Sequence, residues 1–189
     1  MVWNKSAREP LQGKVSPEQL PKGLNGRALC RWCQTEVPPK RRTFCSNSCV
    51  HEHKLRSSID YMKNQVFERD AGKCALCELD CLELLGSALK IAADCGEKVA
   101  TAMLIQKGFN SFRARRAVLE GAALWDADHI SAVSQGGGGC GLSGMRTLCA
   151  PCHKGQTRDL RRALAQGLIP GQMTIWDFMT DSTPAPRSD

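Results

Sequence analysis

Three side chains in the second half of the chain have the types and spacing needed for hydrolysis at a divalent cation. Asp128 and His129 are adjacent in a segment short enough to be a strand, and His153 directly follows Cys152. A carboxylate and an imidazole can together hold one divalent cation, and the other imidazole can accept a proton near neutral pH. Taken singly, either histidine is explained as an ordinary surface or core residue. The chemistry therefore depends on the elements that bring the three side chains together.

Four cysteines around these residues have the spacing of zinc ligands. The chain has 11 cysteines, an odd number that argues against a disulfide framework, and its start (MVWNKSAREPLQ) lacks the apolar stretch of a secretory signal. Each CxxC turn brings two thiolates to one side of an ion, so two turns complete a tetrahedral structural site. Four buried cysteines without metal are the alternative. The first predicted zinc site consists of Cys74, Cys77, Cys149 and Cys152.

A second cysteine set lies nearer the N-terminus and predicts a second structural zinc. His51 and His53 are close enough in sequence to replace Cys49 as a ligand, but all four thiolates are present, so we expect both histidines on a solvated helix face. Three further cysteines at positions 81, 95 and 140 have no partner pair and are expected to be small buried apolar residues. The second predicted site consists of Cys30, Cys33, Cys45 and Cys49.

Composition and periodicity divide the chain into segments. Residues 1–26 are expected to form a loosely ordered arm, 27–55 the four-cysteine module, and 56–167 the main domain, with a helical insert at 82–123. Residues 168–189 form a proline-bounded tail.

Around the candidate chemistry the sequence predicts two short strands followed by a helix. The strands are expected at 124–130 and 145–149 and the helix at 150–167, with an earlier helix at 56–72. The predicted class is α+β, with a small zinc-stabilised core, a helical insert, and a treble-clef-like or ribbon-like zinc module in front.

These motifs together resemble the HNH (ββα-metal) endonucleases, over about residues 28–160. The resemblance implies that His129 is the general base, that Asp128 and His153 bind one Mg²⁺ or Mn²⁺, and that DNA is cut to a 5′-phosphate and a 3′-hydroxyl. Asp126 is an alternative carboxylate, although the family register favours Asp128. The motifs that carry the resemblance are Cys74-Ala-Leu-Cys77, Asp128-His129-Ile130 and Leu148-Cys149-Ala-Pro-Cys152-His153-Lys154-Gly-Gln-Thr157, with a glycine-rich loop between the last two.

One departure from the family pattern concerns the loop before the second strand. The family has an asparagine there, whose amide holds the loop that presents the histidine base, whereas this chain has Gly144. Ser143 could substitute, the loop could be held in another way, or the protein could be a weak or inactive nuclease.

The net charge of +7 suits a polyanionic partner such as DNA. The last predicted helix places four basic residues on one face beside His153, where they could contact phosphates, with a solvated helix face as the alternative reading. Three arginines of the insert, at 113, 115 and 116, make a weaker candidate surface. The predicted DNA-contacting residues are Lys154, Arg158, Arg161 and Arg162, together with Lys40, Arg41 and Arg42 of the first module.

An apolar cluster in the C-terminal tail needs a burial partner. The order glutamine, aliphatic, aromatic resembles the peptide by which replication proteins bind the sliding clamp, so the clamp or another replication or repair protein is a candidate partner. Packing against the chain's own domain is the alternative. The residues concerned are Gln172, Ile175, Trp176 and Phe178.

No apolar run approaches the roughly 18 residues of a membrane span. We therefore expect an intracellular protein, in the cytoplasm or nucleoid of a bacterium or the nucleus of a eukaryote, with no membrane partner. The predicted function is metal-dependent cleavage of DNA, by nicking or by cutting branched or single-stranded structures. The alternatives are a non-catalytic zinc-stabilised nucleic-acid-binding module and a protein-interaction adaptor.

Overall fold

The computed structural model of the chain describes residues 15–168, which divide into two compact units with a boundary after Gln65, inside a helix. Within this described stretch, no helix is both long and apolar enough to cross a membrane. The helices and strands of residues 15–168 are, in chain order, α1 (Asn47–Ser57), α2 (Ile59–Asp70), α3 (Cys81–Cys95), α4 (Glu97–Gln106), α5 (Ser111–Glu120), β1 (Trp125–His129), β2 (Met145–Cys149) and α6 (Ala150–Ala165).

The first unit has a small core built largely from cysteine. Its buried cluster contains Cys30, Val37 and Cys49. The Ser46 side chain accepts a hydrogen bond from the Cys49 amide and so caps α1. Residues 15–26, assigned from sequence to the arm, include a 3₁₀ turn at Pro17–Gln19.

The insert of the second unit consists of α3, α4 and α5. α3 begins one residue before the predicted segment 82–123, and α4 and α5 lie within it. Apolar residues at helical spacing face inward on each helix. The Asp80 carboxylate caps α3, and the Asn110 side chain caps α5. Gly121, in the left-handed conformation, ends α5 and turns the chain toward β1. The buried residues of the insert helices are Cys81, Leu84, Ala88, Ala100, Leu104, Ala114, Ala117 and Val118.

After the insert, two strands and a helix follow one another directly. β1 and β2 pair antiparallel, with Trp125 opposite Cys149 and His129 opposite Met145. α6 begins at the residue after β2, with Pro151 in its first turn, where a missing amide is tolerated. The predicted α+β class, with two short strands followed by a helix, is confirmed.

Candidate active site

The imidazole of His153 lies between two carboxylates of β1. Side chains alternate along a strand, so Asp126 and Asp128 share one face, and α6 places His153 against that face. His153 Nδ1 is 3.4 Å from Asp126 Oδ2, and Nε2 is 3.6 Å from Asp128 Oδ1. Ligands within about 2.1 Å of one cation can be up to about 4.2 Å apart. The separation of Asp128 and His153 therefore fits a shared divalent cation.

His129 ends β1 and is half-buried. Alternation along the strand directs its side chain away from the face that carries Asp128. No hydrogen bond or ion pair within residues 15–168 joins its imidazole to Asp128 or His153. The fold thus brings the two predicted cation ligands together and leaves the predicted base adjacent to them in the chain but without a direct contact.

The first cysteine set converges beside this site. The Sγ atoms of Cys74, Cys77, Cys149 and Cys152 lie within 4.8 Å of one another. Sulfurs around tetrahedral zinc are about 3.8 Å apart when each bond is about 2.3 Å, and the Cys77 and Cys149 sulfurs are 3.7 Å apart. Since Cys149 ends β2 and Cys152 lies in the first turn of α6, a zinc at this set would fix the residue before His153.

Three thiols of this set differ in pKa. Burial raises the pKa of Cys74, but amides led by that of Cys149 lower it to about 7 overall. Burial raises the pKa of Cys152 to about 11 and that of Cys149 still further. Ionisation of Cys74 is therefore favoured over that of Cys149 and Cys152, chiefly because these two are buried. A dication would stabilise the thiolate forms, so the donor set fits zinc.

The second cysteine set has the same character. The Sγ atoms of Cys30, Cys33, Cys45 and Cys49 lie within 4.8 Å of one another. Hydrogen bonds, first from Thr35 and then from neighbouring thiols, lower the pKa of Cys45 to about 6. Burial raises that of Cys49 to about 12. Two four-cysteine groups that could hold zinc are thus present in the described residues.

The expectation that His51 and His53 lie on a solvated helix face is wrong. Both are half-buried: His51 Nδ1 is 2.8 Å from the Tyr61 hydroxyl, and the His53 ring packs edge-on against Phe44. Burial, chiefly, lowers the pKa of His53. The predicted alternative ligands are thus occupied with packing near Cys49.

The three unpaired cysteines differ from one another. Cys81 is buried, as expected, and burial raises its pKa to about 12. Cys140 is half-buried, and Cys95 is exposed, so the prediction of burial is wrong for Cys95 because it occupies the last, solvent-facing turn of α3.

A side chain at position 144, where the family has asparagine, would overlap Cys140 in this structure. A Cβ atom at Gly144 would lie 2.7 Å from the Cys140 Cβ and 2.8 Å from its sulfur. Cys140 thus fills the space that a side chain at position 144 would need. The Gly144 carbonyl still accepts a hydrogen bond from the Ile130 amide at 2.9 Å, directly after His129.

The side chain of Arg69, at the end of α2, binds backbone carbonyls of the loop that contains Gly144. Its guanidinium donates to the carbonyls of Leu142 (2.7 Å) and Met145 (2.8 Å), on either side of Gly144. Asp70 binds the same guanidinium at 2.6 and 2.8 Å. Ser143, the other sequence candidate for this role, is exposed. A guanidinium fork therefore provides contacts to the loop that a side chain at 144 cannot make.

Two arginines pair with the carboxylates that face His153. Arg146 lies opposite Asp128 in the strand register and donates to its Oδ2 at 2.9 Å. Arg113 donates to both oxygens of Asp126 at 3.0 Å, so it is not free for DNA as the sequence suggested. Sequence analysis missed Arg146, because only the strand register shows that it faces Asp128.

The predicted DNA-contacting side chains are exposed. Those of α6 project from the helix that carries His153, and those of the first module follow its Cys30–Cys33 turn. Trp125 is a packing residue, stacked on Phe67 with ring centroids 5.6 Å apart. The tail residues Gln172, Ile175, Trp176 and Phe178 lie outside the described residues. The exposed basic residues are Lys40, Arg41, Arg42, Lys154, Arg158, Arg161 and Arg162.

No protein-family model matches the chain. The bovine protein "DNA annealing helicase and endonuclease ZRANB3" is 33% identical over 155 residues, which are 75% of this chain and 14% of that protein. The human ZRANB3 is 35% identical over 134 residues, 66% of this chain and 12% of the human protein. The chain thus spans less than a sixth of the length of these curated relatives.

A solved structure of one domain is also similar. The crystal structure of the human ZRANB3 HNH domain is 29% identical, covers 58% of this chain and 95% of that domain, and superposes with a TM-score of 0.46. The sequence identity to ZRANB3 supports the resemblance found in the motifs. This chain contains an HNH domain resembling that of ZRANB3.

Proposed function

We propose that the protein is a metal-dependent endonuclease that hydrolyses DNA phosphodiester bonds, by nicking or by structure-specific cutting. The observation that carries the proposal is the pairing of Asp128 and His153 at 3.6 Å on a ββα unit clamped by four cysteines. The similarity to ZRANB3, which is named as an endonuclease, supports the same chemistry here.

In this proposal Asp128 and His153 hold one Mg²⁺ or Mn²⁺. Such a cation would polarise the scissile phosphate and stabilise the leaving 3′ oxygen. Asp128 offers the cation its Oδ1, because Oδ2 is bound to Arg146. His153 offers Nε2, which faces that oxygen.

His129 is proposed as the general base. A neutral imidazole can take a proton from an attacking water near neutral pH. Its imidazole has no competing ion pair within residues 15–168. The contacts of Arg69 with the neighbouring loop, and of Gly144 with the Ile130 amide, support the strand end that presents it. Attack at phosphorus with loss of the 3′ oxygen gives a 5′-phosphate and a 3′-hydroxyl.

DNA is the proposed substrate, bound through its backbone. Arg158, Arg161 and Arg162 extend along α6 from His153, so they could contact phosphates on one side of the cleaved bond. Exposed basic residues of the first module could contact a second stretch. Such contacts carry no base sequence, which favours recognition of DNA shape.

The two four-cysteine groups are proposed as structural zinc sites. Free cysteines in this number suit a reducing compartment, so we propose that the protein acts inside the cell. The tail peptide is proposed to bind a sliding clamp or another replication or repair protein.

The test is a nicking assay on supercoiled plasmid and on a fork-shaped oligonucleotide, in Mg²⁺, Mn²⁺ or EDTA. The wild type is compared with His129→Ala and with His51→Ala, which removes an imidazole bound to Tyr61 in the other unit. Cutting should need the cation, persist in His51→Ala and fall by at least about 100-fold in His129→Ala, the usual contribution of a general base.

A second candidate function is a non-catalytic DNA-binding module. The observation that favours it is the absence, among residues 15–168, of a side-chain hydrogen bond that would orient the His129 ring, together with glycine at 144. Equal DNA binding by the wild type and His129→Ala, without cutting by either, would establish this function and exclude the nuclease.

A further inference from the structure

We propose that Asp126, held by Arg113 of the helical insert, is a positioning residue that orients His153 toward the cation. The proposal rests on the proposed nuclease function and gives a role to a carboxylate that the family register leaves unassigned. It also links the insert to the active centre.

The imidazole of His153 has a defined orientation. The two ring nitrogens face different carboxylates, Nδ1 toward Asp126 at 3.4 Å and Nε2 toward Asp128 at 3.6 Å. A metal-binding histidine usually donates its other ring N–H to a carboxylate or carbonyl, which fixes the tautomer and the ring plane. With Nε2 on the cation, Nδ1–H is left to donate, and Asp126 is the carboxylate beside it.

The two carboxylates that face His153 differ in how arginines bind them. Arg113 Nη2 donates to both oxygens of Asp126 at 3.0 Å, so each oxygen already accepts one hydrogen bond. Among residues 15–168, Arg146 binds Oδ2 of Asp128, and no hydrogen bond is made to Oδ1, which faces His153. Asp128 is therefore better placed as the cation ligand, and Asp126 as the acceptor that orients His153.

Arg113 connects Asp126 to the helical insert. Arg113 also donates to the carbonyls of Ala123 (3.0 Å) and Trp125 (3.4 Å), so its guanidinium bridges α5 to the start of β1. The adjacent residue Ala114 is fully buried in the insert core, which fixes this turn of α5. The Arg113 and Asp126 side chains are only 28% and 23% exposed, so the pair is shielded from competing water. The packing of the insert thus reaches His153 through two side chains.

The test measures Mn²⁺ binding by isothermal titration calorimetry, with electron paramagnetic resonance of free Mn²⁺ as a second readout. The full-length protein is used with zinc loaded. Asp126→Ala should weaken Mn²⁺ binding by about 10- to 100-fold, the usual effect of losing such a partner. Asp126→Asn, which keeps an acceptor oxygen but loses the charge, should give a smaller loss. Arg113→Ala should also weaken binding.

Arg116→Ala is the matched control, because Arg116 also lies on α5 but pairs with Glu120 in solvent, at 50% and 55% exposure. Zinc content, thermal melting and affinity for uncleaved DNA in EDTA should stay at the wild-type level in the Asp126→Asn variant. A loss of Mn²⁺ affinity with these three unchanged is not expected from a merely structural residue.

Asp128→Ala distinguishes failure of this inference from failure of the proposed function. If Asp128→Ala abolishes Mn²⁺ binding while both Asp126 variants bind like the wild type, the positioning role is refuted and the cation site stands. If Asp126→Asn abolishes binding as completely as Asp128→Ala, then Asp126 is itself a ligand and the inference is wrong. If Asp128→Ala binds Mn²⁺ normally, the proposed cation site fails, and the inference fails with it.

Discussion

Replacing Asp70 by alanine should destabilise the second unit by about 2–7 kcal/mol. The Asp70 Oδ2 atom accepts hydrogen bonds from the Thr147 amide at 3.1 Å and the Thr147 hydroxyl at 2.9 Å. Thr147 is 0% exposed, so without Asp70 both donors would be buried and unpaired. Each unpaired donor costs about 1–3 kcal/mol. The Arg69 guanidinium is partly in solvent, so loss of its ion pair adds only about 0–1 kcal/mol.

Because Thr147 lies in β2, we expect the loss of stability in Asp70→Ala to begin at that strand. The Thr147 amide points away from β1 to Asp70, and its carbonyl accepts from the Ala75 amide at 2.8 Å, in the first cysteine turn. These contacts cover the free edge of β2. We therefore expect the loss of Asp70 to expose this edge before the rest of the unit unfolds.

The measurement is urea unfolding of the zinc-loaded protein at pH 7, together with hydrogen exchange at the Thr147 amide. Asp94→Ala is the control, because Asp94 is an exposed carboxylate near the end of α3. Asp70→Asn keeps one acceptor oxygen and should lose about half as much free energy of unfolding. If Asp70→Ala loses less than about 0.5 kcal/mol and the Thr147 amide exchanges as in the wild type, the reasoning is refuted, because a buried unpaired donor costs more than that.

The same site predicts a dependence on pH. Hydrogen bonding from Arg69, chiefly, holds the pKa of Asp70 below its usual value. The stability it contributes is therefore complete above the pKa of an unfolded aspartate, about 3.9, and is lost as the pH falls through the lower folded value. The free-energy difference between wild type and Asp70→Ala should stay constant from about pH 5 to 8; a difference that shrinks within that window would contradict the assignment.

Three further outcomes are expected. Chelation of zinc, or Cys77→Ser, should abolish the cooperative melting of the second unit and much of its far-UV circular dichroism, because such sites couple metal binding to folding. Cys95→Ser, at an exposed cysteine outside both sets, should leave both signals unchanged. Unchanged melting in Cys77→Ser would exclude a structural zinc. Gly144→Asn should cost about 1–3 kcal/mol through overlap with Cys140, and adding Cys140→Gly should recover part of that loss in a urea titration, whereas no recovery would show that the overlap is not the cause. Arg161→Ala should weaken binding to all DNA sequences alike and reduce the logarithmic salt slope by about 1, and a loss confined to one sequence would indicate base readout instead.

Much of the local structure was predictable because its causes lie close together in sequence. CxxC turns specify their metal geometry within four residues, and the segments around Asp128 and Leu148 are short enough for strands, so both strands were expected where β1 and β2 occur. The helical insert followed from apolar spacing and from breaks near Gly96 and Gly108. The predicted burial of Cys95 was wrong because cysteine spacing does not show which turn of a helix faces solvent.

The sequence by itself identified the candidate chemical groups of this protein: eight cysteines in two sets, a carboxylate and two histidines in the HNH pattern, and a basic last helix. Only the tertiary structure decided which side chains serve those groups. The contacts of Arg113 with Asp126, Arg69 with the Gly144 loop, and Asp70 with Thr147 join residues 13 to 77 positions apart. Their existence depends on strand register and helix packing, which arise from the summed burial of many side chains and leave no short-range signal in the sequence.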